Sequence, residues 1–187
     1  MTLPRDLQNV LDEIDDADRT GAKIASELTD EQFHWQPDGG TRWSVALCLE
    51  HLATSNEVYG SAMRQAVDTA RQHNWTRRGP LAPGLFGRLF VRSLEPPVKR
   101  RTRAPGKIKP ASGHSREEIL RRYHQAHELV RQTVRDSATI DANRATFANP
   151  FIRFVRVKVA TGLQVVAAHD RRHLWQAQQV VARPDFP

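Results

Sequence analysis

Apolar residues recur every three or four positions in four long segments, which polar and turn-forming stretches separate. The first segment covers about residues 4–28, the second about residues 44–72, the third begins at Ser115, and the fourth covers about residues 151–182. Apolar residues at this period lie on one face of a helix and bury it. The pattern therefore predicts four long amphipathic helices, with a turn-rich break over residues 29–41.

Residues that favour helix starts support two of these boundaries. Ser115 is followed three positions later by Glu118, which is the signature of a capping box. Asn149 and Pro150 are typical of an N-cap followed by proline in the first helical turn. Residues 155–159 alternate between apolar and basic and could form a strand, but their place in a longer helical period favours helix. We therefore expect the fourth helix to begin near residue 151.

Residues 73–114 differ in composition from the four helical segments. They contain six of the eleven prolines, and a short helix is predicted within them over residues 85–94. Residues 77–109 carry ten Arg or Lys against one Glu, a net +9, which leaves −2 for the rest of a chain whose net charge is +7. The predicted fold is all-α: a four-helix bundle with a long basic crossover between helices two and three.

Composition excludes several classes of protein. Charged residues make up 26% and apolar residues 39%, as in ordinary globular domains. The single cysteine, Cys48, excludes an intramolecular disulfide and a Cys-rich zinc finger. No apolar run approaches the roughly 18 residues of a membrane span, and the first residues have no apolar signal core. We expect one cytoplasmic domain over residues 1–187, with no membrane partner.

His169 and His173 form the most informative pair in the sequence. They stand four residues apart on the apolar stripe of helix four, so both rings share one helix face. Two imidazoles in this arrangement can converge on one metal ion. Two core histidines that hydrogen-bond to neighbouring groups are the alternative. Because one helix cannot surround an ion, a third ligand must come from another helix.

Two histidines on other helices are candidates for the third ligand. His51 lies one turn inside helix two, and His127 lies on the inner stripe of helix three. Cys48 precedes His51 by one turn, but a lone buried cysteine is more often a small apolar filler than a ligand. The spacing leaves His51 and His127 as alternatives.

The order of several short motifs resembles a known family. Trp43-Ser44, then Glu50-His51-Leu52, then the 169–173 pair followed by Gln176, are similar in order and separation to the DinB/YfiT-like superfamily of metal-dependent bacterial proteins. Asn149-Pro150 also fits, and residues 95–110 resemble one DinB-like subgroup. The likeness covers nearly the whole chain.

The resemblance carries expectations for the fold, the site and the chemistry. It implies a four-helix bundle, often a homodimer, with one divalent metal (zinc, nickel, iron or manganese) held by His51, His169 and His173. Relatives with known activity are bacillithiol S-transferases and the mycothiol-dependent maleylpyruvate isomerase. The resemblance therefore also implies a low-molecular-weight thiol as cosubstrate.

A three-histidine site leaves coordination positions open for water or substrate. A metal there could activate a water for hydrolysis or a thiol for transfer. Ser55 and Gln176 share the ligand face and, with Trp43, could contact substrate, whereas Glu50 and Glu57 fall off that face. Because no general base is evident, thiol transfer is favoured over hydrolysis. We interpret Asp170 as a surface charge; the alternative is a carboxylate that orients a metal ligand.

The leading hypothesis is a small metalloenzyme, a thiol-dependent S-transferase or a metal-assisted hydrolase, with an anionic small molecule as substrate. A non-catalytic, metal-stabilised or metal-sensing dimeric bundle is the first alternative. A nucleic-acid-associated protein acting through residues 77–109 is the second. The run Lys99-Arg100-Arg101-x-Arg103 could bind phosphates, but it lacks the interleaved aromatic residues of a single-strand binder. We therefore do not expect a nucleic-acid partner.

Overall fold

The computed structural model describes residues 2–98, 105–152 and 154–187, with Lys107 described by its backbone alone. The predicted basic run at residues 99–103 lies outside these residues. Helices and strands in the described ranges are α1 (Arg5–Ser26), α2 (Asp30–His34), α3 (Pro37–Gly40), α4 (Val45–Gln72), α5 (Gly84–Leu94), α6 (Arg116–Asp136), α7 (Val159–Val181), β1 (Thr146–Ala148) and β2 (Arg156–Lys158). None of the described helices combines the length and apolar character that a membrane crossing requires.

The four long helices pack side by side, and the predicted all-α class is confirmed. Helix α4 packs against both α6 and α7, and α1 packs against the same two helices. Two apolar clusters fill the space between them. Met63 and Leu163 are fully buried in one cluster, and Leu49 and Tyr123 are fully buried in the other. The stripes that predicted the helices are therefore the faces that form the core.

Side-chain caps fix where several helices begin. Ser44 accepts a hydrogen bond from the backbone N–H of Leu47 at 3.1 Å, and Ser115 accepts one from that of Glu118 at 3.2 Å. These caps agree with the predicted starts of helices two and three. Thr29 and Gln32 form a reciprocal capping box, which starts the short helix α2 in a stretch predicted to be turns.

The predicted start of the fourth helix near residue 151 is wrong, since α7 begins at Val159. The preceding residues form an antiparallel hairpin that pairs Thr146 with Lys158, Phe147 with Val157 and Ala148 with Arg156. Asn149 accepts bonds from two backbone N–H groups, as an N-cap would, but only a turn follows. Phe154 has φ +64°, and this left-handed conformation cannot continue a right-handed helix. The alternating residues therefore form strand β2.

The connection between α4 and α6 contains a helix and one anchored turn. Helix α5 covers the predicted short helix and packs along α7. A single 3-10 turn at Gly106–Ile108 then packs against α4, with the Ile108 side chain buried. This second contact brings the backbone of the connection to the side of α4 that carries His51.

Candidate metal centre

Three histidine rings from two helices meet at one point. Helix α4 supplies His51, and α7 supplies His169 and His173 one turn apart. The ring centroids are 4.5 to 5.0 Å apart, and one nitrogen from each ring lies within 4.8 Å of the other two. His51 and His173 are buried, and His169 is half-buried. The structure thus brings together the three histidines that the family resemblance implies.

Hydrogen bonds orient two of these rings. The Nδ1–H of His51 donates to the carbonyl oxygen of Ile108 at 2.6 Å, and the Nδ1–H of His173 donates to Oε1 of Gln176 at 3.1 Å. A neutral imidazole that donates through Nδ1 keeps a lone pair on Nε2. Such bonds hold the ring and the tautomer that metal binding requires.

The nitrogen separation fits a metal ion. Nε2 of His51 and Nε2 of His169 are 3.3 Å apart. Two nitrogens bound to one tetrahedral zinc ion at its usual bond length are separated by about 3.3 Å. A hydrogen bond between these two rings would explain that single distance, but not the convergence of the His173 ring on the same point. The three side chains therefore fit a divalent transition metal.

Burial keeps the three rings in the neutral, metal-binding form. It lowers the pKa of His51, although the Ile108 carbonyl acts in the opposite direction. The pKa of His169 falls to about 3, mainly through burial and further through the positive charge that His51 and Arg172 would carry. Burial likewise holds the pKa of His173 well below its ordinary value. None of these rings has to lose a proton near neutral pH to bind a cation.

Trp43 covers one side of the histidine cluster. Its ring centroid lies 4.8 Å from that of His51 and 5.6 Å from that of His173. Trp43 directly precedes the Ser44 cap, so the start of α4 places the indole against both rings. Trp43, which the sequence predicted to contact substrate, thus contacts two histidines and also lines the neighbouring cavity.

The cluster opens into a cavity of about 1250 Å³. Its walls are partly apolar, and its cationic residues are Arg42, Lys109, Arg172 and Arg183. Ser55 and Gln176, predicted to share the ligand face, both line it. The hydroxyl of Ser55 is buried and has no hydrogen-bond partner within the described part of the chain. No Asp or Glu occurs among the lining residues that the structure describes.

The interpretation of Asp170 as a surface charge is wrong, since Asp170 is fully buried. Its Oδ1 accepts a hydrogen bond from Asn56 at 2.9 Å, and its Oδ2 lies 3.3 Å from Nε2 of His127 without an aligned hydrogen bond. Burial is the largest single influence on the pKa of His127 and acts to lower it. The Asp170 carboxylate, the Tyr123 carbonyl and the Asp18 charge together outweigh burial, so the pKa is raised. His127, the alternative third ligand, therefore faces a carboxylate and stays outside the metal cluster.

Several contacts at the site were not predicted from the sequence. The Ile108 carbonyl that holds His51 is a backbone group, so no side-chain motif marks it. Glu50 is buried and directed away from the cavity, paired with Arg122. Cys48 is fully buried, and burial raises the pKa of its thiol, as expected for an apolar filler.

One of three comparisons with known proteins finds a match, and it is to a family model. Neither a search of curated proteins nor a search of solved structures finds a match to the chain. The family model of the DinB superfamily matches residues 5–177, a range that contains all three clustered histidines. The family match and the three-histidine cluster together fit a metal-binding helical protein. The chain belongs to the DinB superfamily.

Proposed function

We propose that this protein is a small metalloenzyme that transfers a low-molecular-weight thiol to a small electrophile. One divalent transition metal is held by His51, His169 and His173. In this proposal the four long helices are the four-helix bundle of the superfamily, and residues 73–114 are its crossover. The observation that carries the proposal is a cavity with three imidazoles in its wall and no carboxylate among the described lining residues.

Each group at the site has a part in this chemistry. A divalent metal held by the three histidines would lower the pKa of a thiol substrate and so supply a thiolate at neutral pH. Ile108 and Gln176 hold the rings that bind the metal. The thiolate sulfur bonds to the electrophilic carbon, the leaving group departs with its electron pair, and the thiol proton passes to solvent.

The lack of a carboxylate favours this reaction over hydrolysis. Metal-assisted hydrolysis usually relies on a positioned base that accepts a proton from the attacking water. The polar lining residues include Ser55, Asn56 and Gln176, which are neutral, and the charged lining residues that the structure describes are all cationic. The carboxylate of Asp170 is fully buried and occupied by Asn56 and His127. Thiol transfer needs no such base, because a thiol loses its proton far more readily than water does.

The cavity walls indicate a substrate pair with one anionic and one apolar portion. Arg172 donates to the Ser93 carbonyl at 3.4 Å, and burial lowers the pKa of its guanidinium. A carboxylate on the thiol would complement the positive charge of the cationic residues that line the cavity. Tyr59 and Phe151 pack with their rings tilted and their centroids 5.3 Å apart, and they supply an apolar wall for the electrophile.

Elemental analysis tests the metal site. We expect about one equivalent of a transition metal in the wild type and loss of most of it in His51→Ala, His169→Ala and His173→Ala. His34→Ala and His73→Ala are matched controls, because both residues are exposed and lie outside the cluster. No metal uptake from a panel of divalent ions would refute the site.

A conjugation assay tests the reaction. Metal-loaded protein is incubated with cysteine, glutathione, bacillithiol or mycothiol and an alkyl halide or epoxide, and thioether formation is followed by mass spectrometry. We expect turnover with at least one thiol, and none after chelation or in His169→Ala. Hydrolysis of ester substrates without thiol turnover would support a hydrolase. Stoichiometric metal with neither activity would support a non-catalytic metal protein.

A further inference from the structure

Among the residues with a described position, two segments carry all the large exposed apolar side chains. Within the part of the chain that the structure describes, they are Leu85, Phe86, Leu89 and Phe90 of α5, and Ile152, Phe154 and Val155 of the turn between β1 and β2. Phe86 is 85% exposed and Phe154 is 95% exposed. Helix α5 is described in full, and none of its residues is buried. We call these seven residues the apolar rim.

The two segments of the apolar rim border the same opening. Strand β2 leads directly into α7, and the hydroxyl of Thr161 in the first turn of α7 donates to the Pro83 carbonyl at 3.2 Å. This bond holds the start of α5 beside the first turn of α7, which directly follows the hairpin. Phe90 and Ile152, one from each segment, both line the cavity. The rim therefore lies at the mouth of the cavity that contains the histidine cluster.

Positive charge predominates in and around the two segments of the apolar rim. Residues 77–94 and 142–169 contain no Asp or Glu, and their described basic residues are Arg77, Arg78, Arg88, Arg92, Arg144, Arg156 and Lys158. Arg77 pairs with Asp6, and Glu95 directly after α5 pairs with Arg171. Arg88 and Arg92 are exposed on α5 itself. A cluster of large exposed apolar side chains rimmed by polar residues marks an interaction surface. Its partner must accept large apolar side chains and also carry negative charge.

A second copy of this chain and a single-stranded nucleic acid both fit the apolar and charged parts of the rim less well than a lipid surface does. A two-fold dimer through the rim would place two basic surfaces against each other, which opposes association. Single-stranded nucleic acid supplies negative charge, but it binds aromatic side chains by base stacking. Leu85, Leu89 and Ile152 have no ring on which a base could stack. An anionic lipid bilayer suits both the aliphatic and the aromatic members of the rim.

We propose that the apolar rim docks on the surface of an anionic lipid bilayer. Helix α5 lies in the interface with its apolar side chains among the acyl chains, and the arginines contact lipid phosphates, as in other basic amphipathic helices. This revises the expectation of no membrane partner, which rested only on the lack of a membrane span. The proposal does not depend on the metal chemistry, although docking would turn the cavity mouth toward the lipid.

Vesicle sedimentation of the full chain tests the proposal. Vesicles of phosphatidylcholine with about one third phosphatidylglycerol are compared with pure phosphatidylcholine vesicles. We expect binding to the anionic vesicles that weakens as salt rises, and little binding to the neutral ones. Phe86→Ser combined with Leu89→Ser should weaken binding at least about tenfold. Because neither residue is buried, an unchanged melting temperature will show that this variant folds.

Charge-matched variants separate docking from a general effect of net charge. Arg88→Gln combined with Arg92→Gln should weaken vesicle binding about thirtyfold. Arg64→Gln combined with Arg121→Gln removes the same charge from exposed positions on α4 and α6 and should change binding less than about threefold. Equal losses in the two pairs would overturn the proposal.

Three further results would also overturn it. The first is no binding to anionic vesicles at low salt. The second is a dimer that becomes a monomer in the Phe86→Ser, Leu89→Ser variant by analytical ultracentrifugation, because the rim would then join two copies of the chain. The third is tight binding of a single-stranded oligonucleotide that the same variant abolishes, with vesicle binding unchanged.

Discussion

Acid should destabilise the metal-free protein, because the folded state keeps His169 and His173 neutral whereas the unfolded state lets both rings take up a proton. The pKa of His169 is about 3 and that of His173 is well below the ordinary value of 6.5. In the unfolded chain both rings titrate near that ordinary value. Below it the unfolded state binds more protons than the folded state, so the free energy of unfolding decreases as pH falls. Above it these two groups make no difference.

The loss of unfolding free energy depends on how many pH units the assay lies below the ordinary histidine pKa of about 6.5. At pH 5 each histidine that stays neutral in the fold reduces the free energy of unfolding by about 2 kcal/mol. His169, whose pKa is about 3, contributes this full amount, and His173 adds to it in the same direction. The sum is a substantial part of the roughly 5 to 15 kcal/mol that holds a typical domain folded.

Urea unfolding with a chelator at pH 7 and pH 5 measures this loss. The reference is the double variant His169→Gln with His173→Gln, which keeps polar side chains at both positions and titrates at neither. Other ionisable groups are common to both proteins, so the loss between pH 7 and pH 5 should be at least about 2 kcal/mol larger in the wild type. Equal losses in the two proteins, within about 1 kcal/mol, would refute the reasoning. Adding a saturating divalent metal should stabilise only the wild type.

Three other predictions concern the core. Gly162→Ala should lower the free energy of unfolding by about 1 to 3 kcal/mol in thermal melts, because its Cβ would lie 2.9 Å from the Phe147 ring; an unchanged melting temperature would contradict this. Cys48 is fully buried with a raised thiol pKa, so it should react with a thiol reagent only after unfolding. Asp170→Asn removes the charge that raises the pKa of His127. This raised pKa stabilises the fold below about pH 6.5 and the effect is lost at higher pH, so urea unfolding should show a larger loss in the variant at pH 6 than at pH 9.

Local patterns predicted the helices well where local interactions determine them. Ser44 and Ser115 cap α4 and α6 through hydrogen bonds within one turn, and a sequence shows such bonds directly. The prediction of where the fourth helix begins was wrong because Asn149 makes the hydrogen bonds of an N-cap in a segment that is not a helix. The pairing of β1 with β2 makes this segment a hairpin, and that pairing depends on residues about ten positions apart.

The site was predictable only in part for a similar reason. The spacing of His169 and His173 places both rings on one helix face, which a helical period is sufficient to predict. His51 and His127 both lie on inner stripes, so the family resemblance was needed to choose between them. What separates them in the structure is Asp170, which faces His127 from α7. That contact joins two helices that are distant in sequence.

The hydrogen bond from His51 to the Ile108 carbonyl couples two parts of the molecule that the chain separates by more than fifty residues. If the 3-10 turn detaches, His51 loses the acceptor that fixes its tautomer, and the metal affinity falls. Thermodynamic linkage makes this relation reciprocal. A bound metal must then favour the attached turn by the same free energy that the attached turn contributes to metal binding. Metal loading would thereby also stabilise the contact between the Gly106–Ile108 turn and α4.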